Sequence, residues 1–90
     1  MQPTLEIHVY GTVQGVGFRY STKQIADQLG IVGTVENLAD GSVKILAQGD
    51  YKKLDELVAK IKDAPSPSAE VVDASIKFTK LPAFTDFKTI

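Results

Sequence analysis

The chain has no cysteine among its ninety residues and a single histidine, His8. Without thiols there are no disulfides, no thiolate metal centre and no cysteine nucleophile, and a small domain of this kind suits the cytoplasm. Charge of one sign is lacking as well. Ten Lys and Arg stand against eleven Asp and Glu, for a formal net charge of −1. That argues against a nucleic-acid binder working through a broad basic face, so any anion site has to be local. No segment approaches the roughly 20 apolar residues of a membrane span. The start, Met1-Gln2-Pro3-Thr4, carries neither the basic region nor the apolar run of a secretion signal. The expectation is one cytoplasmic domain over residues 1–90, a monomer with no membrane or nucleic-acid partner.

What is present is ordinary for a globular protein: 43% hydrophobic and 23% charged residues, enough to build a core and too apolar for disorder. Leu5, Ile7, Val9 and Val13 alternate with Glu6, His8, Tyr10 and Thr12, which predicts a strand with one buried face. Phe18, Thr22, Ile25, Ala26 and Leu29 then recur at helical spacing, and Gly30 follows as a stop. Residues 31–37 form a second predicted strand. Leu38-Ala39-Asp40-Gly41 is a hairpin turn, with Asp-Gly its strongest signal. Val43, Ile45 and Ala47 face inward on a third strand. Asp50 caps a second helix whose apolar stripe is Leu54, Leu57, Val58 and Ile61, with Lys60 and Lys62 near its end. After the stiff Pro65-Ser66-Pro67-Ser68 connection, Val72, Ala74, Ile76 and Phe78 predict the inward face of a fourth strand. A short edge strand is expected within 84–89. The order β-α-β-β-α-β corresponds to an α+β, ferredoxin-like sandwich: an antiparallel sheet with two helices on one face.

One stretch asks for more than packing. Thr12-Val13-Gln14-Gly15-Val16-Gly17-Phe18-Arg19 joins the first strand to the first helix. Glycines let backbone amides converge on one point, and a helix start adds unpaired N–H groups and the positive end of its dipole. Arg19 falls in the first helical turn, where a cation alone is mildly disfavoured. A bound anion reverses that balance. A phosphoryl group fits best, because a guanidinium can grip two of its oxygens. Established phosphate motifs do not match: the third glycine of a dinucleotide fingerprint is missing, and no Gly-Lys-Ser/Thr follows. The loose similarity to an RNA-recognition strand also fails. That motif belongs on the third strand, which here has no aromatic to stack a base.

The run Gly11 to Arg19 resembles the acylphosphatase signature, G-x-V-Q-G-V-x-F-R. The similarity continues through Ala26-Asp27-Gln28-Leu29-Gly30 and through Gly33 to Val43, where G-x-V-x-N precedes a turn and a strand. It spans nearly the whole chain. The resemblance implies hydrolysis of the carboxyl-phosphate bond of small acyl phosphates, with inorganic phosphate as product and inhibitor. It assigns phosphoryl binding to Arg19 and to the loop Gln14, Gly15, Val16, Gly17 and Phe18, and orientation of the attacking water to Asn37. Three departures stand out. Thr34 replaces a common aromatic, Ala64-Pro65-Ser66-Pro67 replaces a Gly-Pro-Pro type run, and the C-terminal residues lack the usual basic or aromatic ending.

The implied chemistry needs no cofactor and no metal. A carboxylate leaves without protonation, and phosphoryl transfer depends on positioning and charge stabilisation, which arginine and amides supply. Asn37 can hold a water but is no strong base. His8, on the outward face, is assigned a surface or partner-facing role. Tyr20 is expected on the helix surface or in packing. The serines lack a neighbouring histidine, so a triad is unsupported. The rival expectation is a non-catalytic anion-binding or regulatory module on the same fold. A second is an accessory unit like the acylphosphatase-like domains of larger carbamoyl-transfer proteins.

Overall fold

The computed structural model describes residues 2–90. Seven elements follow in order: β1 (Thr4–Thr12), α1 (Phe18–Leu29), β2 (Val32–Asn37), β3 (Val43–Gln48), α2 (Tyr51–Lys62), β4 (Glu70–Thr79) and β5 (Phe87–Thr89). The sheet order is β4-β1-β3-β2-β5. Alternation built it. Ile7 pairs with Ile45 and Val9 with Val43 across β1 and β3, and Val35 pairs with Ile45 across β2 and β3. All five side chains are fully buried. They form one core with Phe18 and Ala26 of α1 and Leu54, Leu57 and Ile61 of α2.

The four long strands pair antiparallel, as expected. The sheet as a whole is mixed, however, because β5 runs parallel to β2, with Gly33 opposite Phe87 and Val35 opposite Thr89. Two further departures concern β4. It begins at Glu70, and its register against β1 shifts between Tyr10 and Gly11, so that Asp73 faces Tyr10 while Val71 faces Gly11. The bulge removes Val72 from the alternation. Val71 packs against the core and Val72 is 72% exposed. Ile76 and Phe78 keep the inward register, opposite Ile7 and Leu5. They lie at the sheet edge and stay exposed, Phe78 meeting Tyr51 of α2 edge-on at 6.0 Å.

The helices end as their sequences dictate. Gly30 closes α1 in the left-handed conformation, its N–H reaching the carbonyls of Ala26 and Asp27. Asp50 caps α2, accepting from the Lys53 N–H at 2.9 Å, and Lys60 and Lys62 sit in its last turn. No helix among the described residues is long and apolar enough to cross a membrane.

Candidate active site

Residues 13–17 carry the chain from the end of β1 to the start of α1. Gly15 has φ 74° and Gly17 φ 76°. A Cβ at either would meet nothing within 4 Å. Room is therefore not the reason for glycine. The left-handed backbone is, since other residues adopt it at a cost. Gly17 is also the N-cap of α1. It offers no side-chain bond to the first turn, and that turn holds no acidic residue. The first amides of α1 are thus left without a side-chain acceptor at the positive end of the helix dipole.

Side chains outside the loop fix its shape. The Gln14 amide nitrogen donates to the carbonyls of Leu38 and Ser42, both at 2.8 Å, tying the loop to the β2–β3 hairpin. Ser66, in the connection between α2 and β4, donates from its hydroxyl to the Val16 carbonyl at 2.9 Å. Val13 and Phe18 anchor the two ends in the core, each about 1% exposed. The hairpin itself is held by Asp40, whose carboxylate accepts from the Ser42 hydroxyl and N–H. Those bonds, the hydroxyl's first, keep the Asp40 carboxyl below its usual pKa.

Above this loop lies a cleft of about 280 Å³. Gly15, Gly17, Phe18 and Arg19 line it from the loop and first helical turn, and Asn37 lines it from the end of β2. Asn37 gets there by period-two geometry. It follows Gly33 and Val35 on the helix-facing side of β2, at the end of the strand beside the start of α1. Among the described residues Arg19 is the one charged residue lining the cleft, and no carboxylate among them lines it. Its Nη1 donates to the Ile90 main-chain oxygen at 3.1 Å, steadying the guanidinium against the segment after β5. Among the described residues this uses one of its five N–H donors.

The structure therefore brings together Arg19, Asn37, Gly15, Gly17 and Phe18. Gln14 and Val16 do not line the cleft. Gln14 is turned to the hairpin, and Val16 packs against the core. Sequence reasoning missed Thr89, Tyr20 and Val13 as lining residues. Tyr20 follows Arg19 in the helix and is 66% exposed. Thr89 shares a face with buried Phe87, but its place depends on β5 joining β2 in parallel, which no local pattern announces. His8 lies outside the cleft lining, stacked on Tyr10 at 5.5 Å.

The chain and its fold have relatives among known proteins. The acylphosphatase family model matches residues 5–89. The chain belongs to the acylphosphatase family. An acylphosphatase from Lactobacillus johnsonii is 47% identical over 88 residues, 97% of each chain. The crystal structure of acylphosphatase from Bacillus subtilis superposes with a TM-score of 0.94 at 37% identity, covering 98% of both chains. Full-length HypF, solved in a phosphate- and nucleotide-bound form, matches all of this chain with 12% of its own length, at a TM-score of 0.93 and 26% identity. Membership makes the chain an enzyme of acyl-phosphate hydrolysis, and the ferredoxin-like arrangement is the acylphosphatase fold.

Proposed function

We propose that the cleft is where this acylphosphatase-family chain hydrolyses small acyl phosphates, and that Arg19 and Asn37 carry the reaction. The observation behind the assignment is their convergence, from α1 and the end of β2, on one cleft at the uncapped start of α1. The phosphoryl oxygens bind the amides of Gly15, Gly17 and Phe18 and the free donors of Arg19. These groups stabilise the charge that shifts in the transition state without a metal. Asn37 accepts from and donates to one water and sets it in line with the phosphorus. As that water attacks, the P–O bond to the acyl group breaks and the carboxylate departs as an anion. A phosphate oxygen takes the water's proton, so no protein base is needed. Inorganic phosphate fits the same donors and competes as product.

The same reading takes the chain as a cytoplasmic monomer, one domain over residues 1–90, and the absence of cysteine suits that compartment. Phosphate release from benzoyl phosphate in the presence of EDTA tests the function. Turnover that survives exhaustive chelation is expected. A folded protein that binds phosphate yet releases none from the substrate would establish the non-catalytic anion-binding module instead.

A further inference from the structure

The loop between β1 and α1 turns on two glycines. Gly15 and Gly17, either side of Val16, both hold left-handed backbone, and glycine passes between such states readily. The peptide joining Val16 to Gly17 could therefore turn over unless something holds it. Because a trans peptide is planar, its C=O and the following N–H point in opposite directions. Whatever fixes the Val16 carbonyl also fixes the Gly17 N–H.

Ser66 is placed to do this. It is 6% exposed, and its hydroxyl donates to the Val16 carbonyl at 2.9 Å across fifty positions of chain. Its own backbone has little freedom. Pro65 and Pro67 each lock φ, and the residue before a proline is confined to extended conformations. The Ala69 N–H closes the turn onto the Ser66 carbonyl at 3.1 Å. Ala64, with φ 66°, swings the connection away from the end of α2. The hydroxyl is thus delivered to the loop by a stiff strut.

We propose that Ser66 is a positioning residue for the phosphoryl site: by holding the Val16 carbonyl it aims the Gly17 N–H into the cleft. Ser66 does not line the cleft and acts only through that peptide. The proposal rests on the amide-cradle reading of the site.

The experiment compares wild type, Ser66→Ala and Ser66→Thr by benzoyl phosphate kinetics, inhibition by inorganic phosphate, and the Gly17 amide signal in a phosphate titration followed by ¹⁵N–¹H NMR. In Ser66→Ala, KM and the phosphate inhibition constant should each rise about fivefold, the scale of one lost hydrogen bond, while kcat changes less. The Gly17 amide should lose most of its response to phosphate. Ser66→Thr keeps the hydroxyl and should restore both. Wild-type kinetics and a full Gly17 response in Ser66→Ala would overturn the proposal. So would equal losses in Ser66→Ala and Ser66→Thr, which would make packing the cause. If Ser66→Ala does not fold, Ser66→Thr decides: a wild-type Gly17 response and phosphate affinity support the proposal, and their loss overturns it. A wild-type Gly17 amide indifferent to phosphate would instead mark failure of the cradle reading itself.

Discussion

The two helices are twelve residues each, and they begin in opposite ways. At α2, Asp50 occupies the N-cap in extended backbone and its carboxylate takes the Lys53 N–H. At α1, Gly17 occupies the N-cap in left-handed backbone, makes no side-chain bond, and precedes a first turn without an acid. One helix start is completed from within the chain. The other is left incomplete, with Arg19 added to it. A helix start with glycine in place of a capping acceptor gives up roughly a few tenths of a kcal/mol. The difference teaches that, on the proposed reading of the cleft, α1 is finished by a ligand and α2 by its own sequence.

The comparison can be broken most sharply at Arg19. Arg19→Ala should lower kcat/KM by about 10³-fold or more, and phosphate affinity with it, as for other arginines that stabilise transferring phosphoryl groups. Arg19→Lys should recover only part, since a point charge cannot grip two oxygens. Near-normal turnover in a folded alanine variant, measured by phosphate release, would end the assignment. Asn37→Ala comes next. It should lower kcat by about 10²-fold, the scale of losing one well-placed polar group, while the phosphate inhibition constant stays close to wild type. A matching loss of phosphate affinity would make Asn37 a ligand rather than a holder of water.

Asp50→Ala probes the other helix. Thermal melts should show a loss of about 1 kcal/mol, or roughly 4–8 °C for a chain of this size. Turnover should remain within about twofold at a temperature where the variant is folded. A catalytic defect without a stability defect would erase the contrast between the two helix starts. The smallest effect belongs to Asp40, another carboxylate spent on the protein's own amide. Its pKa is lowered chiefly by the Ser42 hydroxyl, then by the Ser42 N–H. A group depressed in the folded state contributes stability above its unfolded pKa, and that stability fades as pH falls through the folded value. Wild type should therefore melt slightly above Asp40→Asn at neutral pH, and the gap should close below the ordinary carboxyl value of 3.8. A gap unchanged in acid would mean that the carboxylate charge is not what Ser42 recognises.

Much of this was legible in the residues because it is local. Alternation located the inward faces of β1 and β3, β-forming residues marked β2, helical spacing found both helices, and Asp50 and Gly30 marked ends that the structure shares. The family motif put Arg19 and Asn37 on one functional list, and the fold places both on one cleft. The failures are non-local. Val72 counted as inward because alternation assumes an unbroken ladder, and the bulge opposite Tyr10 and Gly11 moved Val71 into its place. The side chains of Gln14 and Val16 also go where the motif does not say, Gln14 to the hairpin more than twenty residues on and Val16 to the core, while the place of their amides in the cradle belongs to the proposal. Thr89 and the Arg19–Ile90 bond depend on β5 choosing β2 and a parallel direction. Nothing in a three-residue strand specifies that choice.

The cross-links that shape the loop also bear on the order in which the molecule assembles. β1 finds one partner in β3 and the other in β4, so Thr4 has to meet both Gln48 and Thr79. Pairings of such separation close large loops before they repay the entropy, and chains dominated by them fold slowly for their size. Gln14 cannot reach its acceptors before the hairpin exists, and Ser66 cannot reach Val16 until α2 has docked. Arg19 waits for residue 90. The loop therefore takes its final shape only once segments from the middle and the far end of the chain have docked on it.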